Sequence, residues 1–515
     1  MKKYNIPYAN TDIFSQLILD YLNQDKKLNN FYNRYPNIDN FKNQIKEKSN
    51  HNIDRSLLIN VLKEQNKSLK LSKKSTLNID SLLKNNTYTI TTGHQLNIFT
   101  GPLFLIYKII SAINLTETLQ RHYTNYNFVP IFWMATEDHD FEEINHINIY
   151  NNKIKWDTKQ DGIVGEFHLQ DFKDVIDDLH KITGYSCNSE YILELFKKTY
   201  LQHNCLADAT RYLINKLFGK YGVVVIDGNH LEFKKQFKEI IKKDLVSSSY
   251  YNTIKDCSDN LSKYYKQQAF VRERNFFLIQ KGQRKLISKP IKIKDIDLDP
   301  SVFSPNVLMR PLFQEFILPN IAYVGGGSEI SYWMQLITLF KKEKIPFPIL
   351  VLRNSVLFTE YKQLNRFLSM GFSIEDIFNK KELLHSKYLN THHNEEYSLN
   401  KQKSKIAKIY SDIYEQNTDH DIQRSILASK KQQLNLIEKL EKKLVRNIKK
   451  KNEINIEKIN RFKDFSFPNG QLQERHSNFI SFYLKYGDNF LEMLKENLHP
   501  LSSDFVVLAL ENDNL

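Results

Sequence analysis

The 515-residue chain predicts an α/β protein: a Rossmann-like, doubly wound parallel core with inserted connecting segments and a C-terminal α-helical coiled-coil hairpin. Three observations predict it. Short, continuous apolar strands alternate with helical stretches, as in a parallel sheet covered on both faces. Several of these strands run directly into glycine or charge, as strands do at the ligand-binding edge of an open sheet. From about 375 to 460, apolar residues recur at helical spacing with no Gly or Pro between Phe372 and Phe467.

In chain order, residues 1–86 read as short polar helices that end in a Lys/Asn/Ser-rich loop over 63–86. TYTITTG (87–93) is a β-branched strand stopped by Gly93. Thr100-Gly101-Pro102 offers an N-cap followed by a first-turn proline, and Leu103, Ile106, Ile109, Ile110 and Ile113 carry a helix to about Leu119. FVPIFWMA (128–135) then completes a βαβ unit. Further on, 206–220 reads as helix, 223–228 as buried strand and 306–319 as helix. IAYVGGG (321–327) is strand into glycine turn, 328–344 a helix, 348–353 a strand and 505–510 a closing strand.

These elements divide the chain into a core over 1–375, with insertions near 150–205 and 229–300, an antiparallel coiled coil over 376–462 and a returning segment over 463–515. In the coiled coil, Ile406, Ile409 and Ile413 mark one helix. Leu434, Ile437, Leu440, Leu444 and Ile448 mark the other. Leu440 and Leu444 are expected inside the hairpin or at a dimer seam.

Composition bounds the function. Hydrophobic residues make up 41% and charged residues 26%, as in a folded globular protein. No apolar run approaches the roughly 18 residues that span a bilayer, and MKKYNIPYANTDIF lacks a signal-peptide core, so a cytoplasmic protein with no membrane contact is expected. Cys187, Cys205 and Cys257 are odd in number and far apart, which argues against a disulfide framework and a structural zinc. The net charge of +14 is carried by Lys-rich stretches everywhere. A small anionic substrate explains local basic residues at least as well as nucleic acid does.

Three loops beyond strand ends could hold chemistry. In TTGHQLNIFTGP (91–102), Gly93 and Gly101 would let backbone amides approach a ligand. The helix start behind them suits an anion, with His94, Gln95, Thr100 and Lys108 nearby; a plain tight turn is the other reading. EDHDF (137–141) places five carboxylates and two histidines within ten positions, counting to His146. A metal cage, a helix-capping charged loop and an acid/base wall all fit, and a tight cage is disfavoured because adjacent loop residues rarely converge. AYVGGGSEISYW (322–333) offers Gly325, Gly326 and Gly327 as a backbone surface with close ligand approach or positive φ at Gly326. Ser328 and Glu329 open the next helix.

Taken in order, TGHQLNIFTGPLFLIYKIISAI, PIFWMATEDHDFEEINHI, LFGKYGVVVID, RERNFFLI, SPNVLMRPLFQEFILPNIAYVGGGSEISYWMQL and FPNGQLQER resemble the bacillithiol-synthesis family of cysteine-adding ligases, from Thr91 to Asn489. The resemblance implies a Rossmann-like core, a coiled coil, a homodimer, and addition of L-cysteine to the amine of glucosaminyl-malate as the last step to bacillithiol. His94 departs from the family's TGQQ form. GGGSE is also similar to the glycine turn of cysteinyl-tRNA synthetases, whose zinc-held thiol recognition finds no cysteine cluster here.

Forming an amide from a free carboxylate requires its activation, so the reading implies ATP as co-substrate, through a cysteinyl adenylate or an acyl phosphate, and no protein-bound metal. Asp138, His139 or Asp140 would orient or deprotonate the amine. Gly93, Gly101 and the helix start would hold anionic groups, with Arg310 and Lys108 for carboxylates or phosphates; Arg310 serves equally well as a fold anchor. Asn469 and Gly470 of FPNGQLQER complete the candidate binding set. The rival is a tRNA- or protein-binding module without ligase activity.

Overall fold

The computed structural model of the chain describes residues 1–150 and 152–511. They form two units: Pro7–Val356 with Glu474–Val506, and Met1–Ile6 with Leu357–Gln473 and the chain from Val507.

The first unit is built on five strands: β1 (Thr87–His94), β2 (Asn127–Met134), β3 (Val224–Asp227), β4 (Asn320–Gly325) and β5 (Ile349–Leu352). All pair in parallel in the order β5-β4-β1-β2-β3. Their side chains are buried almost without interruption because both faces are covered, which is why they read as apolar runs instead of alternating. Register sets His94 level with Met134, and Met134 level with Asp227. The chain adds β2 and β3 on one side of β1 and then returns to add β4 and β5 on the other. The crevice between the carboxyl ends of β1 and β4 is therefore the topological switch point.

Helix α1 (Phe104–His122) joins β1 to β2 and is buried at every residue from Leu105 to Thr116, Lys108 included. Beyond it lie α2 (Leu206–Phe218), α3 (Arg310–Ile317), α4 (Gly327–Met334) and α5 (Ile337–Glu343). The single helix expected over 328–344 is two helices. Gln335 and Leu336 close α4 with three-residue turns, and the Gln335 side chain is buried against Ser258 and Ala269. The inserted segments hold a hairpin (His146–Ile149 with Asn152–Lys155) and an antiparallel sheet of Phe276–Gln280, Gln283–Leu286 and Phe303–Pro305.

Two expectations for the N-terminal part are corrected. Lys2–Pro7 is a strand. Within the expected loop over 63–86, Lys73–Ser81 is a helix capped by Ser72. Ser75 and Asn78 bind the carbonyls of Val223 and Gly222 at 3.0 and 2.7 Å, so tertiary bonds stabilise a helix that polar composition disguises.

The second unit contains α6 (Lys381–Tyr397), α7 (Asn400–Glu415), α8 (His420–Lys451) and α9 (Glu453–Ser466). α7 packs along α8, and α6 packs on α8 and α9. The hairpin is thus present, but each of its two long helices is interrupted, one at 398–399 and the other at Asn452. Ile448 is buried, whereas Leu440 is 48% exposed and lies outside the hairpin's own interior. A three-stranded sheet orders Lys2–Pro7, Asp504–Leu510 and Val356–Glu360. Among the described residues no helix is long and apolar enough to cross a membrane, and the three cysteines are free thiols.

Candidate active site at the switch point

A cavity of about 1050 Å³ opens at the switch point, lined by residues that follow β1, β2, β3 and β4. It brings together ten of the residues expected from sequence: Gly93, His94, Gln95, Lys108, Asp138, His139, Asp140, Arg310, Ser328 and Glu329. They come from four separate stretches of chain, and only the sheet makes them neighbours.

The floor is a charged network. The buried Lys108 ammonium meets the Glu329 carboxylate at 2.5 Å and donates to the Gly93 carbonyl at 2.9 Å. Glu329 also accepts from the Gly326 amide at 2.8 Å and the Tyr323 hydroxyl at 2.6 Å. Burial works to raise the Glu329 carboxyl, but Lys108 and these two donors outweigh it, leaving it below its ordinary value. Lys108 is pushed down by burial despite Glu329. Burial, then Glu329, hold the Tyr323 phenol protonated. An ammonium has three donors, so one of Lys108's remains for the cavity.

Arg310 opens α3, donates to the Tyr332 hydroxyl at 3.1 Å and to Gln314 at 3.0 Å, and lies over the Tyr323 ring. It makes no ion pair among the described residues, and neither do Arg272 and Arg475 on the same cavity. His94 is held down to about 3 by burial and then by Lys108, so its imidazole is neutral. Among the described residues its buried Nε2 has no hydrogen-bond partner.

The EDHDF wall divides by role. Glu137 binds the buried Lys234 ammonium at 2.6 Å, which also reaches Asn229 and Ser301 and fastens the loop. Asp138 accepts from Gln95 at 2.9 Å and faces Arg284 at 3.5 Å. Glu143 takes the same Gln95 amide group, and Glu142 faces Lys155 on the surface. His139, 41% exposed at its side chain, sits between Asp138 at 3.7 Å and the 56%-exposed Asp140 at 4.0 Å. The Thr136 hydroxyl at the root of the loop donates to Asp227 at the end of β3 at 2.6 Å. Gly228 is required there, since a Cβ would lie 2.2 Å from the Trp133 ring. The ligand atoms of Asp138, His139 and Asp140 lie within 4.8 Å of one another, so these are the residues that could hold a divalent ion.

The remaining candidates lie elsewhere. Thr100 and Gly101 do not line the cavity. Phe99, Thr100 and Gly101 all have positive φ, and Asn478 bridges the carbonyls of Phe99 and Gly101. A Cβ on Gly101 would lie 2.6 Å from Asn97, so this glycine serves the turn. The expected anion-holding helix start is also committed: the helix begins at Phe104, and the Leu103 amide donates to the Ser477 carbonyl. Gly325, Gly326 and Gly327 support the network from behind. Gly326 has φ −77°, not a positive value, and its amide caps α4 through Glu329. Asn469 and Gly470 belong to the second unit, in a 3-10 turn.

Sequence reasoning missed Tyr323, Arg272, Arg284 and Arg475 as cavity residues. Arg475 had a signal as the last residue of FPNGQLQER; Glu474 beside it is buried in a bidentate pair with Arg353 at 2.6 and 3.1 Å. Trp333 is fully buried and stacks on Tyr323.

The fold and site define a Rossmann-like α/β protein with a charged small-molecule cavity at its switch point, joined to a helical coiled-coil unit. Residues 1–354 match the family model for the bacillithiol biosynthesis BshC N-terminal Rossmann-like domain, and residues 356–510 that for its C-terminal coiled-coil domain. The chain belongs to this family. Relatives from several bacteria carry the name "Putative cysteine ligase BshC". The protein of Flavobacterium psychrophilum is 40% identical, covering 98% of each chain. That of Flavobacterium johnsoniae is 38% identical, covering 98% of this chain and 99% of its own. That of Christiangramia forsetii is 38% identical, covering 98% of each.

Proposed function

We propose that the ligase chemistry carried by this family is, in this chain, the joining of L-cysteine to the amine of glucosaminyl-malate to form bacillithiol, in the cytoplasm and as a homodimer. The observation that carries the reading is the charge pattern of one cavity. Three guanidinium groups without carboxylate partners among the described residues line it, together with the His139 imidazole set between Asp138 at 3.7 Å and Asp140 at 4.0 Å. Unpaired arginines suit carboxylates and phosphates, and a histidine beside a carboxylate suits proton transfer from an ammonium nucleophile.

ATP, as co-substrate, would supply activation of the cysteine carboxylate. Arg310 and the third donor of Lys108 would bind anionic groups over the switch point. Asp140 would orient the glucosamine ammonium, and His139 would take its proton so that the amine can attack. His94, kept neutral, would add no positive charge beside Lys108. Asp138 is already engaged by Gln95 and Arg284, so we read the wall as substrate contact and not as a resident metal cage.

The test is direct. Purified protein is incubated with cysteine, glucosaminyl-malate and ATP, and the mixture is analysed by mass for bacillithiol and for AMP or ADP. Product that requires all three substrates is expected. No product, combined with nucleic-acid binding that weakens steeply with salt, would favour the rival binding module. Stoichiometric zinc that leaves together with activity on chelation would overturn the reading of the wall.

A further inference from the structure

One aromatic residue of the cavity is placed against the usual preference of its type. Phe270 is 73% exposed, although phenylalanine is among the residues most often buried. It lies on the cavity lining with Arg272, whose guanidinium sits 5.4 Å from the centre of its ring.

The segment that carries them has no regular secondary structure, yet it is fixed at both ends. Ala269, buried, is held through its amide and its carbonyl by the Gln335 side chain at 2.9 and 3.0 Å, at the end of α4. Asn275, fully buried, is held by Asp244 at 2.6 and 3.0 Å, and Arg274 is anchored on the carbonyls of Leu245 and Ser288. Between these anchors Val271 is buried, so positions 269 and 271 point inward while 270 and 272 point outward. A pinned backbone thus presents an aromatic ring and an adjacent guanidinium to the cavity. A flexible surface loop would not need four buried hydrogen-bonding anchors.

We propose that Phe270 and Arg272 form a stacking platform for a purine base, that of the nucleotide co-substrate. An aromatic face takes a nucleobase with little loss of side-chain entropy. Arg272 can stack on the same ring and meet phosphate charge. At about 1050 Å³ the cavity lies at the upper end of the roughly 300–1,000 Å³ range of ligand sites, enough to admit a nucleotide. The inference rests on the ATP-dependent reading above.

The test measures binding of ATP, inorganic tripolyphosphate and glucosaminyl-malate by calorimetry, using the full chain and its Phe270→Ala, Phe270→Trp and Arg272→Ala variants. Phe270→Ala should weaken ATP binding about tenfold to a hundredfold, the loss expected for one base–aromatic stack. Tripolyphosphate and glucosaminyl-malate should bind as before, and Phe270→Trp should restore ATP affinity. Because the side chain is exposed, its removal leaves the fold intact. If ATP binds but Phe270→Ala leaves it unchanged, the platform is wrong and the ligase reading stands. If Phe270→Ala weakens only glucosaminyl-malate, the ring faces the sugar and the proposal falls. Wild-type protein that binds no ATP overturns both.

Discussion

Replacing Lys108 with Met removes the one cation, among the described residues, that pairs with Glu329. The side chains are 4% and 21% exposed and 2.5 Å apart, so their gross attraction at an effective dielectric of 20 is about 6–7 kcal/mol. Most of that offsets desolvation, and breaking a buried pair from one side costs about 3–5 kcal/mol. Glu329 keeps the Gly326 amide and the Tyr323 hydroxyl and stays partly solvated, which places the expected loss near the lower end, about 3 kcal/mol. The Lys108→Met/Glu329→Gln double variant leaves no unpaired charge, so it should be more stable than the sum of the single effects by at least about 1 kcal/mol. All three tryptophans, Trp133, Trp156 and Trp333, lie in the sheet-bearing unit, so their fluorescence during urea unfolding reports on that unit alone. A Lys108→Met variant within about 0.5 kcal/mol of wild type, or strictly additive single effects, would refute the pinning role and return Lys108 to ligand binding alone.

His94 gives a pH signature. An unfolded chain protonates it near 6.5, the folded chain only near 3, so the unfolded state binds more protons between these values and stability falls as pH drops from 6.5 towards 3. His94→Gln should lose less stability over that window, and parallel curves for the two proteins would contradict the burial argument. His139→Ala and Asp140→Asn should each lower bacillithiol formation at least about tenfold with stability nearly unchanged, whereas Glu137→Gln should destabilise the fold because it strands the buried Lys234. Full turnover in both of the first two would remove the wall from the chemistry. Leu440→Asp should dissociate the proposed homodimer in sedimentation without lowering helicity, since Leu440 is exposed within its own chain; unchanged sedimentation would place it on a solvent face.

The apolar runs, the 3.6-residue stripes and the strand–glycine junctions were enough to read the parallel sheet and the helical unit. They depend on local periodicity, which each segment carries by itself. EDHDF and VGGGS also announced a pocket, because a strand buried on both faces can release charge only at its ends. Periodicity says nothing about who meets whom. Lys108 faces Glu329, more than two hundred positions away, only because β4 pairs beside β1. Gly101 and Thr100 looked like ligand contacts, but tertiary bonds from Asn478 assign them to a turn. Phe270, an ordinary apolar letter in a polar stretch, became a candidate platform only once Gln335 and Asp244 were seen to hold its backbone. Local sequence determined the strands of the parallel sheet and the long helices, while the division of each charge between structural pairing and the cavity was decided by contacts across the fold, where burial makes an unpartnered group costly.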